Sequence, residues 1–276
     1  MGKVKALVIT GYGLNCEAET SYALARAGAA VEQVHLNELL DRRRSLAEFH
    51  LLALIGGFSF GDHVSAGKVF ANRLKYRLRG ELDAFIAEGK LVLGICNGFQ
   101  TLVKLGLLPG FDGDYRTQRV SLAANDSGVF RDAWVRLRAE PSSPCVFTRG
   151  LDFLDLPVRH GEGKFCAADE AVLDRLEAGG QVALRYVHPD TGEPTEEYPH
   201  NPNGSARAVA GICDPTGRVF GLMPHPEGYL SPFNHPLWPR WKAEGRLPRE
   251  GAGLALFRRA VEHLEGRLSI GNPETT

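Results

Sequence analysis

The sequence predicts an α/β fold, a doubly wound, mostly parallel sheet flanked by helices and carrying an antiparallel patch. Over the first hundred residues, short apolar runs alternate with helical segments, which is typical of β-α-β units. Beyond residue 106 the hydrophobic pattern changes to a period of two, which is typical of antiparallel strands. No linker-like composition divides the chain. We therefore predict one domain over residues 1–270 and a disordered tail over 271–276.

The parallel half consists of apolar runs that end in glycine-bearing turns. Strands are predicted at 4–10, 31–36, 51–55 and 91–95, and helices at 17–27, near 37–48, at 68–88 and from 97. In the first helix we expect the core-facing side chains to be Ala18, Tyr22 and Ala25. Since the carboxyl ends of parallel strands share one edge of a sheet, the glycines that follow three of these strands should meet there.

The second half predicts an antiparallel hairpin and then a mixed set of elements. The hairpin strands, 117–124 and 129–138, flank the turn sequence NDSG at 125–128. Further strands are predicted at 151–160, 181–187, 205–212 and 218–223, with helices at 170–176 and 253–264.

The composition argues against several classes of protein. Lys and Arg number 32 against 33 Asp and Glu, so no positive field favours nucleic-acid binding. No apolar run approaches a membrane span, and the N-terminus lacks a signal-peptide pattern, so we predict a cytoplasmic protein without a membrane partner. The five cysteines are scattered without a C-x-x-C pair, which argues against a zinc knuckle or a disulfide framework. No metal site is predicted.

Residues 91–100, LVLGICNGFQ, predict a catalytic nucleophile. An apolar strand breaks between Gly94 and Gly98 and helical spacing follows, which is the context of a nucleophile elbow with Cys96 in the place of serine. The glycines allow close backbone approach, and the N-terminus of the following helix favours a thiolate. The alternative is a buried structural cysteine. Cys16, just before the first helix, is a rival nucleophile but lacks flanking glycines.

A cysteine nucleophile needs a histidine base and a group that orients it. Three histidines precede an acid by two residues at predicted strand ends: His160, His188 and His225. We favour His225, with Glu227 orienting it, because the short apolar strand before it should end at the same edge as Cys96. His188 leads into an ordinary hairpin signal, and His160 belongs to a glycine-rich loop.

Two backbone amides are candidates for an oxyanion hole. The amide of Asn97 is the first of the helix that follows Cys96, and the turn containing Gly57 and Phe58 is the natural source of the second donor.

Several motifs together resemble a known family. The cysteine elbow followed far downstream by His225-Pro-Glu227 resembles the class I, triad-type glutamine amidotransferases, whose fold is flavodoxin-like. Five segments are similar to the glutaminase subunits of phosphoribosylformylglycinamidine synthases: 56–62 (GGFSFGD), 96–100 (CNGFQ), 160–165 (HGEGKF), 195–205 (TEEYPHNPNGS) and 222–227 (LMPHPE). The similarity runs from about residue 4 to 265.

The resemblance implies that Cys96, His225 and Glu227 form a triad that hydrolyses L-glutamine through a thioester, with Gln100 among the substrate-binding residues. It also implies that ammonia passes to a synthetase subunit, which converts formylglycinamide ribonucleotide to its amidine in purine synthesis. A small accessory subunit is a further expected partner. We expect no cofactor in this chain, which has no phosphate-cradling loop, and ATP and Mg on the synthetase.

The chain departs from the family pattern at two places, and two other classes of protein remain open. The family usually has Arg where this chain has Gly228, and the stretch 229–250 is longer than in a minimal glutaminase. Another cysteine hydrolase of this architecture, a peptidase or a stress-response hydrolase, would usually take its histidine from the position held by Asn97. A non-catalytic regulatory module would be expected to lack part of the triad.

Overall fold

The computed structural model describes residues 3–270, whose strands form a nine-stranded mixed sheet and a separate two-stranded sheet. The strands are β1 (Lys5–Thr10), β2 (Ala30–His35), β3 (Leu51–Leu54), β4 (Leu91–Ile95), β5 (Val120–Ala123), β6 (Arg131–Ala139), β7 (Phe153–His160), β8 (Lys164–Ala167), β9 (Val182–Tyr186), β10 (Val209–Cys213) and β11 (Val219–Leu222). The large sheet has the order β2-β1-β3-β4-β11-β10-β9-β6-β7. The strands from β2 to β11 are parallel and the rest pair antiparallel, so the predicted α/β class with an antiparallel patch is confirmed.

Helices flank this sheet. They are α1 (Glu17–Arg26), α2 (Leu36–Leu40), α3 (Lys68–Arg77), α4 (Arg79–Ala87), α5 (Asn97–Leu105), α6 (Glu170–Ala178), α7 (Trp238–Ala243) and α8 (Leu254–Ile270). Within the described part of the chain, no helix is both long and apolar enough to cross a bilayer. The predicted tail over 271–276 lies outside the described residues, and the single domain remains a prediction.

The centre of the sheet positions the candidate site. All five residues of β4 are buried, because it lies between β3 and β11 and α5 packs against it. The parallel neighbours β1, β3, β4 and β11 end at one edge, where the loops that carry the candidate residues follow them. This is the edge at which ligands bind in doubly wound folds.

The predicted hairpin at 117–138 is wrong. β5 pairs with β8 in the small sheet, whereas β6 pairs with β7 over eight residue pairs. Asn125, in the predicted turn, forms hydrogen bonds outside the predicted hairpin. Its side chain donates to the carbonyl of His160 at 2.8 Å and accepts from the amide of Gly163 at 3.1 Å. A period-two pattern suits any antiparallel partner, and here the long pairing with β7 prevails over the local turn.

Three helix predictions also need correction. The single helix predicted at 68–88 is interrupted at Leu78, whose φ of −124° leaves the helical region. The helix predicted near 37–48 is the short α2 followed by a separate 3-10 turn. In α1 the residues predicted to face the core, Ala18, Tyr22 and Ala25, are exposed. The helix instead buries the face that carries Leu24, together with Thr20 and Ala23.

The stretch 229–250 packs against the antiparallel half of the sheet. The ring of Trp134 on β6 lies 5.2 Å from that of Tyr229 and 4.5 Å from that of His235, between centroids. His235 in turn stacks on Trp241 of α7 at 4.2 Å. Residues of this stretch therefore form an aromatic cluster with Trp134 on β6.

Candidate active site

The connection from β4 to α5 has the geometry of a nucleophile elbow. Cys96 adopts φ +51° and ψ −106°, a conformation that costs a non-glycine residue roughly 1–3 kcal/mol and is found mainly at functional sites. A Cβ added at Gly98 would lie 1.9 Å from the carbonyl oxygen of Leu54, and one added at Gly94 would lie 2.9 Å from the backbone of Gly98. The flanking glycines are therefore needed for the close contact of α5 with β3 and β4.

His225 and Glu227 form a buried pair in the turn that follows β11. His225 Nδ1 lies 2.5 Å from Glu227 Oε1, and the side chains are only 4% and 3% exposed. Burial works against a charged imidazole, but the negative Glu227 and the neighbouring Cys96 outweigh it and raise the pKa of His225 well above its ordinary value. His225 Nε2 has no hydrogen-bond partner among the described residues. The imidazole is thus oriented by Glu227 and has a free nitrogen.

Cys96 and His225 line one pocket of about 420 Å³, a volume that suits a small molecule. The Cys96 thiol lies 3.7 Å from the carbonyl oxygen of Arg159, which it faces as a donor. Three of the four residues predicted for the oxyanion hole or substrate binding also contribute to the site wall, namely Gly57, Phe58 and Gln100. The structure therefore brings residues from six separate parts of the chain to one cavity.

The backbone at Gly57 and Phe58 is held by the loop that follows β1. The Phe58 amide donates to the carbonyl of Gly13 at 2.8 Å, so in this conformation it is engaged outside the pocket. The Gly57 amide has no acceptor in residues 3–270 and remains the candidate second donor. Non-glycine residues with positive φ follow in the same loop, Phe60 at +55° and Asp62 at +51°, so the loop carries backbone strain.

Asn97 and Gln100 belong to a polar network beneath the pocket. The buried Asn97 side chain donates to Asp62 at 3.1 Å and to Gln100 Oε1 at 3.0 Å, and Gln100 Nε2 donates to the carbonyl of Glu162 at 2.5 Å. Burial raises the pKa of Asp62, although the Gly67 amide and Asn97 oppose this by hydrogen bonding. The network fixes the first turn of α5, whose backbone amides have no acceptors within the helix.

The two rival histidines are not placed for proton transfer to Cys96. His160 lines the pocket, but its Nδ1 lies 3.1 Å from Asn125 Oδ1 and its Nε2 lies 3.4 Å from Asn203 Nδ2. Burial and the charge of His225 lower the pKa of His160 to about 4, so it is neutral near pH 7. His188 lies outside the pocket and packs against His200, 4.5 Å away.

Cys16, the rival nucleophile, lies in the same pocket and against the same histidine. Its sulfur, a ring nitrogen of His225 and a carboxylate oxygen of Glu227 lie within 4.8 Å of one another. Burial raises the pKa of the Cys16 thiol, with Glu227 adding to the effect and the neighbouring imidazole of His225 opposing it. Unlike Cys96, Cys16 does not stand on a strained elbow; its backbone φ is −109°.

Several charged residues of the pocket wall have no role predicted from the sequence. They are Glu19 on α1, Asp62, Arg159 and Glu162. Arg159 and Glu162 flank His160-Gly161, and this pair of opposite charges around a glycine-rich loop is the signal in the sequence that marks them. Charges of both signs suit the zwitterionic end of an amino acid.

The chain is similar to known proteins over nearly its whole length. Residues 3–264 match the family described as CobB/CobQ-like glutamine amidotransferase domain. A phosphoribosylformylglycinamidine synthase subunit PurQ of Dehalococcoides mccartyi is 46% identical, over 95% of this chain and 98% of the relative. The corresponding subunit of Archaeoglobus fulgidus is 39% identical over 95% and 98%. Among solved structures, PurLQS from Thermotoga maritima matches with a TM-score of 0.68 and 29% identity, over 95% of this chain and all of the other.

Proposed function

The chain belongs to the family of CobB/CobQ-like glutamine amidotransferase domains, and we propose that it is the glutaminase subunit of a phosphoribosylformylglycinamidine synthase. It hydrolyses L-glutamine and delivers the ammonia to a synthetase subunit that converts formylglycinamide ribonucleotide to its amidine, in purine biosynthesis. The relatives named as subunits of that enzyme, matched over almost their full length, support the activity and the partner. They do not favour the alternatives of a peptidase, a stress-response hydrolase or a regulatory module.

The observation that carries the chemistry is the strained Cys96 in one pocket with the His225–Glu227 pair. A protonated imidazole favours the thiolate form of a neighbouring cysteine, which then attacks the side-chain amide carbon of glutamine. The amides of Asn97 and Gly57 stabilise the resulting oxyanion. His225 donates a proton to the departing ammonia, which leaves a glutamyl thioester on Cys96.

Hydrolysis of the thioester regenerates the enzyme. Water loses a proton to neutral His225 and attacks the thioester carbon, and glutamate leaves as Cys96 recovers its thiolate. Glu227 holds Nδ1 of the imidazole through both steps, so that Nε2 remains directed at the reacting atoms. No step draws on a cofactor in this chain; ATP and Mg on the synthetase and the cytoplasmic location remain predictions.

A reconstitution with the synthetase subunit tests the function. We expect Cys96→Ser to abolish glutamine-dependent amidine formation while ammonia-dependent formation persists, because only the nucleophile for glutamine is lost. Cys166→Ser is the matched control, since Cys166 lies on β8 and does not line the pocket. Retention of most glutaminase activity by Cys96→Ser, or loss only in Cys16→Ala, would overturn the assignment of Cys96.

A further inference from the structure

Cys16, His225 and Glu227 bring three kinds of donor atom together at the edge of the pocket, which Cys16 and His225 line. The sulfur, the imidazole nitrogen and the carboxylate oxygen lie within 4.8 Å of one another, although the residues come from the start of α1 and from the turn after β11. The absence of a side chain at Gly56 permits this approach, because a Cβ there would lie 3.0 Å from Cys16 Sγ and 2.8 Å from His225 Cε1.

Two of these residues keep unused donor atoms, whereas the Cys16 thiol donates to Asn15 Oδ1 at 3.4 Å. His225 Nε2 and Glu227 Oε2 have no hydrogen-bond partner within residues 3–270, and both residues are at least 96% buried. Unsatisfied buried polar atoms are rare and call for a ligand or a reactive role. Catalysis accounts for Nε2. It gives no role to Cys16.

We propose that Cys16, His225 and Glu227 form an inhibitory binding site for a thiophilic divalent cation of the zinc class. Sulfur, imidazole nitrogen and carboxylate oxygen are the donors that zinc prefers, and three of them leave one position for solvent. Cys16 and the protonated His225 each release a proton to solvent on binding, so a thiolate and a carboxylate together balance the charge of the cation in a buried place. The scattered cysteines speak against a zinc knuckle but not against this site, because Cys16 and His225 stand 209 positions apart in the sequence and meet only in the fold.

The inhibitory consequence rests on the proposed function. A cation held by His225 occupies the imidazole that must exchange protons with Cys96 and glutamine, so bound metal and turnover exclude each other. Binding itself does not depend on that function, because no substrate takes part in it.

Cadmium titration of the metal-free, reduced protein tests the site through the ultraviolet cadmium–thiolate band. We expect Cys16→Ser to weaken cadmium binding by more than about tenfold. Loss of a residue that only hydrogen-bonds to a metal ligand usually costs at least that much, and Cys16 is a ligand itself. Cys96→Ser should keep a single-thiolate band, and Cys166→Ser should match the wild type. Unchanged cadmium affinity in Cys16→Ser, or loss of the band in Cys96→Ser alone, would overturn the site.

Zinc inhibition of glutaminase activity provides the second measurement. We expect reversible inhibition that EDTA removes and that requires more than about tenfold higher zinc in Cys16→Ser. Equal sensitivity of Cys16→Ser and wild type would overturn the proposal. A cadmium band that depends on Cys16 in a protein without glutaminase activity would retain the site and refute the proposed function, so the two failures are distinguishable.

Discussion

Gly98→Ala probes the elbow with a single methyl group. The added Cβ would lie 1.9 Å from the carbonyl oxygen of Leu54 and 2.5 Å from its carbon, whereas ordinary contacts begin near 3.4 Å. The first turn of α5 must therefore move from β3 by roughly 1.5 Å, because the opposing atoms are backbone in a buried strand and cannot rotate away. That turn carries Cys96 and the Asn97 amide. A displacement of about 1 Å at a catalytic centre costs about a hundredfold in rate, or roughly 2.7 kcal/mol.

The assay is glutamine-dependent ammonia release by the complex with synthetase, together with the melting temperature of each variant. Gly80→Ala in α4 is the matched control, since a Cβ there would meet nothing within 4 Å. We expect it to keep full activity and to gain up to about 1 kcal/mol in the free energy of unfolding, from helix propensity. Activity of Gly98→Ala within threefold of wild type would refute the reasoning about the elbow.

The remaining predictions concern the base and the control of activity. We expect His225→Ala to lower turnover by roughly four orders of magnitude and Glu227→Gln by less, since glutamine still accepts from Nδ1. The Glu227→Gln change also removes the charge that raises the pKa of His225, so the pH–rate profile should move to lower pH; a severe loss in His160→Ala with a mild one in His225→Ala would transfer the role of base. We further expect the synthetase and its ligands to increase the glutaminase rate by up to about a hundredfold, roughly 3 kcal/mol, because turning the Phe58 amide from Gly13 toward the pocket would add an oxyanion donor to those of Asn97 and Gly57. An unchanged turnover number on complex formation would rule out this switch.

Local signals in the sequence are sufficient to predict a structural element when one short segment contains all the residues that form it. β4 and the elbow follow from an apolar run, two glycines and helical spacing, all within residues 91–105. Local order also predicts that His225 lies beside the elbow, because the short apolar strand before it should end next to β4. β11 does pair with β4, in register from Val219 to Leu222.

Pairing between distant segments could not be obtained from the same patterns. The period-two stretches at 117–138 were compatible with a hairpin, yet β6 pairs with β7 and β5 with β8. The spacing of Ala18, Tyr22 and Ala25 predicts the wrong inner face for α1. The face that carries Leu24 is buried instead, because packing against the sheet and α8 selects it. Such choices depend on free-energy differences between alternative partners, which local propensity does not contain.

The sequence by itself determined which chemical groups follow the central strands. They are a cysteine on a glycine-flanked turn and a histidine two residues before an acid. These features are set by backbone conformations that only certain residues allow. Only the tertiary structure decided that Cys16 lies against His225, that the Phe58 amide is held by Gly13, and that Arg159 and Glu162 complete the pocket wall. Those contacts join segments that meet only when the sheet has assembled, because its buried apolar strands fix which loops share an edge.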